Sequence, residues 1–185
     1  MARAGLGPSE FAYSAAITAC KDGRWELALS LLGDMRVRGV EPNDVNYNAA
    51  ISACERSGQW ERSLQLMQDM QSNAVRLTSF TYSSAIAACG SSQQLGLALG
   101  LWSMMQGSRI ELNDVTCASL ISACEKSFEW AWALHLLSEA RQQRLKTSSM
   151  VCSSAISACE KSREWERALE LFGTMKSMLL TLDIV

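Results

Sequence analysis

Cys20, Cys54, Cys89, Cys124 and Cys159 follow one another at intervals of 34, 35, 35 and 35 residues, and nothing else in this 185-residue chain limits its fold as tightly. Trp25, Trp60, Leu95, Trp130 and Trp165 keep the 35-residue step throughout. So do Met35, Met70, Met105, Ala140 and Met175, and the small residues Ala28, Ser63, Ala98, Ala133 and Ala168. The single short step therefore reflects one residue missing between Cys20 and Trp25. A fixed period of this size belongs to stacked supersecondary units. The expected division is an N-terminal extension 1–9, five repeats at 10–43, 44–78, 79–113, 114–148 and 149–183, and the start of a sixth at 184–185.

Each unit carries two helical patterns. Tyr47, Ala50, Ile51 and Cys54 fall at i, i+3, i+4, i+7, one face of a helix. The same face recurs as Tyr13, Ala16, Ile17, Cys20; as Tyr82, Ala85, Ile86, Cys89; as Cys117, Leu120, Ile121, Cys124; and as Cys152, Ala155, Ile156, Cys159. After a break such as Ser57-Gly58-Gln59, a second stripe runs through Trp60, Ser63, Leu64, Met67 and Met70, widened by Leu66. Cap-forming residues precede the first helices at Asn43-Asp44, Thr78-Ser79, Asn113-Asp114 and Ser148-Ser149. Neither helix can bury its stripe alone, so neighbouring hairpins must stack. The expected fold is all-α, an α-solenoid of five helical hairpins.

Composition agrees with a folded chain. It is 48% apolar and 19% charged, which excludes a disordered polar chain. Seventeen basic against nineteen acidic side chains leave a net charge of -2, which excludes a strongly electropositive domain. Two prolines leave long segments free for helix. Apolar runs are too short to span a membrane, and the first eight residues show neither a secretory core nor a convincing transit peptide. Seven cysteines without a signal peptide suggest free thiols in a reducing compartment.

The 35-residue hairpin carrying Val45-Asn-Tyr-Asn-Ala-Ala-Ile-Ser-Ala-Cys-Glu-Arg-Ser-Gly58 and Trp60-Glu-Arg-Ser-Leu-Gln-Leu-Met-Gln-Asp-Met70 resembles the pentatricopeptide repeat. Units starting near Phe80, Val115 and Met150 match without gaps, and the stretch from Phe11 to Asn43 matches with one deletion. Cys117 and Cys152 depart from the usual tyrosine, and Ala140 from the usual methionine. The related tetratricopeptide repeat, a 34-residue hairpin that scaffolds protein partners, is the alternative; its Trp-x-x-Leu-Gly-x-x-Tyr opening is missing from every unit.

The resemblance implies sequence-selective binding of single-stranded RNA, one nucleotide per repeat. It implies base sandwiching by Phe11, Val45, Phe80, Val115 and Met150, and by Val185 at the broken end. First-turn core packing is the other use for these side chains. Base selection falls to the residue after the tyrosine position paired with the residue that closes the repeat. Ser14 with Asn43 then suggests adenine, Asn48 with Thr78 a pyrimidine and Ser83 with Asn113 adenine. Ala118 with Ser148 leaves its base undefined, and Ser153 with Asp183 suggests guanine. The closing residues would also serve as helix caps. Lys21, Arg56, Lys126 and Lys161 recur near the first-helix end and could meet successive phosphates, although Glu55, Glu125 and Glu160 beside them weaken that field. RNA metabolism in a mitochondrion or chloroplast follows from the same resemblance, with the cytoplasm as the alternative. Single-stranded RNA is the expected partner, with other proteins second, no membrane, and a monomeric chain. Ile184-Val185 stand where another first helix would begin, so the chain is expected to be a piece of a longer array.

Enzyme chemistry finds no foothold. His135 is the sole histidine and lies outside the apolar stripe; no Cys-x-x-Cys or phosphate-cradling glycine loop occurs. The zinc deaminase domain of editing relatives is therefore missing. Cys117 with Cys124, and Cys152 with Cys159, sit about 10 Å apart along a helix, too far for a disulfide or a shared metal. Buried thiols and no cofactor are expected.

Overall fold

The computed structural model describes residues 9–145 and 148–182, with side chains to residue 175. Ten α-helices and no strand occur among the described residues. In chain order they are α1 (Glu10–Ala19), α2 (Trp25–Val37), α3 (Asp44–Arg56), α4 (Trp60–Ser72), α5 (Ser79–Ser91), α6 (Leu95–Gly107), α7 (Asp114–Lys126), α8 (Trp130–Gln142), α9 (Ser149–Lys161) and α10 (Trp165–Leu182). The chain divides into two compact units, Met1–Ala88 and Cys89–Val185.

In the first unit α1 packs on α2 and α3, α2 on α3, and α3 on α4. Its core is the expected pair of stripes: Tyr13, Ile17 and Cys20 with Leu32 and Met35, then Tyr47, Ile51 and Cys54 with Met67 and Met70. The missing residue after Cys20 shows as a local tightening. The chain leaves α1 through a single 3-10 turn, Cys20–Asp22, and reverses at Gly23 with φ of 95°.

In the second unit α7 packs on α6, α8 and α9, α8 on α9, and α9 on α10. Leu120, Ile121 and Cys124 meet Leu136, Leu137 and Ala140 in a core of the same design. Gly90 stands where other repeats carry Glu55, Glu125 and Glu160. A Cβ there would lie 2.7 Å from Cβ of Ala123, so only glycine admits this approach. The second stripe is not buried throughout. Trp60, Leu64, Trp130 and Leu134 are half-buried, and in α10 Trp165, Leu169 and Phe172 are exposed because no described helix packs on that side. Asp183, Ile184 and Val185, given roles above, lie outside the described residues.

The turn after each first helix needs a left-handed residue. Gly23 and Gly58 supply it, while Gln93, Phe128 and Arg163 accept φ between 58° and 63°. Ala74, Arg109 and Arg144 do the same after second helices, where Gly39 is the one glycine among the described residues. Each such non-glycine costs about 1 kcal/mol, which the packed hairpin must overcome.

Candidate nucleic-acid interface

The first turn of each first helix places an apolar residue and the tyrosine-position residue two steps apart, on opposite sides of the backbone. Tyr13, Tyr47, Tyr82, Cys117 and Cys152 are buried. Phe11, Val45, Phe80, Val115 and Met150 are between 49% and 83% exposed. Core packing therefore does not use these five side chains, although each is of a type that burial would stabilise by roughly 1.5–3 kcal/mol.

The closing residues cap the next helix. Asn43 Oδ1 accepts from the Asn46 N–H at 3.1 Å, Thr78 Oγ1 from Thr81 N–H at 3.4 Å, Asn113 Oδ1 from Thr116 N–H at 2.8 Å, and Ser148 Oγ from Val151 N–H at 3.3 Å. Capping is thus shown for four of the five.

In the first unit the two positions of each pair are joined through a third residue. Asn46, fully buried, donates from Nδ2 to Ser14 Oγ at 2.8 Å while its Oδ1 accepts from the Asn43 N–H at 2.9 Å. Thr81, also fully buried, donates from Oγ1 to Asn48 Oδ1 at 2.7 Å and lies 3.1 Å from Thr78 Oγ1. Asn43 Nδ2 further donates to Glu10 Oε1 at 2.9 Å.

In the second unit Thr116 Oγ1 donates to Asn113 Oδ1 at 2.9 Å, but Val151 occupies the bridging position of the next hairpin and offers no side-chain polar group. Of the remaining expected readers, Ser83 is buried with its hydroxyl donating to the Phe80 carbonyl, Ala118 is half-buried, and Ser153 is exposed and donates to the Ser149 carbonyl.

Sequence reasoning missed Asn46, Thr81 and Thr116. The signal was available: each stands three residues after a cap-former, the capping-box spacing, at a place where the helix is otherwise apolar.

Lys21, Arg56, Lys126 and Lys161, the expected phosphate contacts, are all exposed, and two are already engaged. Arg56 pairs with Asp22 at 3.0 Å, and Lys161 with Glu125 at 3.0 Å, each reaching back one repeat. Lys21 and Lys126 make no ion pair among the described residues. Burial pushes the Glu125 carboxyl up, but hydrogen bonds from Lys161, Ser157 and Ser154 outweigh it and hold the group below its ordinary range.

All seven cysteines are buried free thiols. Burial pushes Cys54, Cys89 and Cys117 up to about 11 and Cys124 to about 12, so they remain protonated and unreactive at neutral pH. His135 is exposed and stacks edge-on against Trp132 and Trp102, with ring centroids 5.7 and 6.4 Å away. Among the described residues no group of three His, Cys, Asp or Glu could hold a metal, and no helix is long and apolar enough to cross a membrane.

Comparison with known proteins follows the same lines. A model described as the PPR repeat family matches residues 8–54 and 42–91, and one described as the PPR repeat matches 80–110 and 150–178. No curated protein matches the chain in sequence. Among solved structures, the pentatricopeptide repeat protein PPR10 in complex with an 18-nt psaJ RNA element superposes with a TM-score of 0.78 at 25% identity, over 93% of this chain and 25% of that one. PPR10 from maize gives a TM-score of 0.74 at 21% identity, over 94% and 25%. The PPR domain of Arabidopsis thaliana protein-only RNase P 1, in complex with tRNA, gives 0.78 at 11% identity, over 94% and 91%. The chain thus spans about a quarter of the length of PPR10.

Proposed function

Because the chain belongs to the pentatricopeptide repeat family, we propose that it binds single-stranded RNA along the first turns of its first helices, one base per repeat. The observation that carries this reading is the recurrence of exposed Phe11, Val45, Phe80, Val115 and Met150 beside buried neighbours. Flat base faces cover such side chains at a gain of roughly 1–3 kcal/mol per base on an aromatic platform. The RNA held by PPR10 in its solved complex supports the same ligand class. A role in the RNA metabolism of a mitochondrion or chloroplast goes with this proposal.

The hydrogen bonds around the paired positions give base selection a physical form. Thr81 occupies Asn48 Oδ1, which leaves the Asn48 Nδ2 donors to be given to a pyrimidine carbonyl. Asn46 donates to Ser14, leaving that hydroxyl proton to be given to a purine ring nitrogen. Asn48→Ser is therefore expected to move the second base of the preferred site from pyrimidine towards purine and leave the others unchanged. Selection from a random RNA pool on both proteins reads this directly. No change, or a shift spread along the site, would assign these residues to folding alone. An absence of affinity for any single-stranded pool, with a protein partner retained, would favour the scaffold.

The capacity to meet phosphates divides by ion pairing. Lys21 and Lys126 are available, whereas Arg56 and Lys161 must first leave Asp22 and Glu125. Replacing Lys21 and Lys126 by Ala is expected to flatten the slope of log affinity against log salt by about 0.7 for each phosphate no longer neutralised. The same change at Arg56 and Lys161 should flatten it less.

A further inference from the structure

We propose that Arg141 and Arg167 hold a small free oxyanion, of phosphate or carboxylate chemistry, in a cavity between α8 and α10. The repeats supply their own control. Near the end of α2, Arg36 donates to the Tyr47 hydroxyl and to Asp69 Oδ2, the latter at 3.2 Å. Asp69 lies 33 residues further along and Tyr47 lies 11. Gln106 Nε2, at the same repeat position, donates to Glu139 Oε1 at 3.0 Å, again 33 residues on.

Arg141 occupies this position on α8, and both of its acceptors have been replaced. Cys152 stands where Tyr47 would, and Thr174 stands where Asp69 and Glu139 do. The Thr174 hydroxyl donates to the carbonyls of Leu171 and Glu170, at 2.7 and 3.3 Å, and carries no charge to balance a guanidinium. Nε and Nη2 of Arg141 are consequently shielded from solvent with no acceptor among the described residues. An unpaired cationic donor in that setting is costly, and an anion in the adjoining cavity that draws the guanidinium round to face it removes the cost.

The space for one is present. A cavity of about 330 Å³ lies beside Arg141, lined also by Ser138, Arg167, Glu170 and Thr174 over a floor of leucines. Glu170 is engaged by Arg167 at 3.0 Å, so the lining keeps one positive charge in excess. Guanidinium groups take phosphate and carboxylate through paired, charge-assisted hydrogen bonds, whereas the Ser138 and Thr174 hydroxyls are already given to backbone carbonyls. The site lies on second helices, whereas the proposed RNA-facing residues belong to first helices.

Isothermal titration of the full chain with orthophosphate and, separately, acetate at constant ionic strength tests the assignment. Saturable one-to-one uptake of either anion beyond chloride is expected. Phosphate alone would point to a phosphorylated ligand and acetate alone to a carboxylate. Arg141→Gln should weaken uptake by about tenfold or more, the effect of removing a charged hydrogen-bond pair. Thr174→Glu restores the carboxylate found in the earlier repeats. It should abolish uptake and raise the melting temperature in anion-free buffer, and being an exposed change it keeps the test open if Arg141→Gln fails to fold. No saturation with either anion, or unchanged uptake in Thr174→Glu, would overturn the proposal.

Discussion

Glu55 in the first unit and Glu125 in the second occupy the same position of their repeats, yet their carboxyls are pushed in opposite directions. Burial raises the Glu55 carboxyl, and the Ser84 hydroxyl and the Arg56 charge only partly offset it. Burial raises Glu125 too, but Lys161 with Ser157 and Ser154 more than cancels the effect. The residue 36 positions beyond each differs: Ser91 after Glu55, Lys161 after Glu125. The hydrogen-bonded bridges contrast in the same way, with Asn46 and Thr81 joining paired positions in the first unit and Val151 leaving Ser148 as a cap alone. A repeat position thus fixes where a side chain stands, while the neighbouring repeat decides what that side chain does.

Converting the first unit's bridge to the second unit's residue should have the largest effect. Asn46→Val strands the Ser14 hydroxyl and the Asn43 N–H together, and is expected to cost about 2 kcal/mol of stability in denaturant unfolding. A loss under about 0.5 kcal/mol would mean that water replaces the bridge at no cost.

Glu125→Gln should cost about 1 kcal/mol at pH 7, because it weakens a partly exposed charged hydrogen bond. Glu55→Gln at the same pH should cost nothing or stabilise. Equal losses would erase the distinction between the two sites.

The smallest effect is in the pH response. Glu55 has a folded value above the ordinary 4.5, so its folded form holds the proton more tightly, and its contribution to stability declines as pH rises through and beyond 4.5. Glu125 has a folded value below 4.5, so its contribution is present above 4.5 and is lost as pH falls through the folded value. Lys161→Ala should move the Glu125 titration upward, towards that of Glu55, in carboxyl-resolved NMR. An unmoved Glu125 would assign its shift to the two serines.

The hairpins and their caps were legible in the sequence because hydrophobic columns and N-terminal Asn, Thr and Ser report local, one-repeat physics. Residues that reach between repeats were harder to see. Asn46 and Thr81 look like second cap-formers, and only packing shows that the same side chains also reach Ser14 and Asn48. Arg56 and Lys161 read as a free basic ladder, but their heads turn back to Asp22 and Glu125, and side-chain direction is not contained in a period. The left-handed turns at Phe128 and Arg163 were hidden for another reason: hairpin packing there imposes a backbone that neither residue prefers.

Because Asn43, Thr78, Asn113 and Ser148 each cap the helix that follows, the natural cassette of this chain is offset from its apparent period. A recombination joint placed after Asn43 hands α3 the cap of whichever repeat precedes it, whereas a joint before Pro42 carries cap and helix together. Shuffling at the first kind of joint leaves every helix start intact as long as each donor repeat ends in a cap-former. The four residues found there meet that condition, so copies of such a unit can be duplicated, lost or exchanged without losing the cap at the seam.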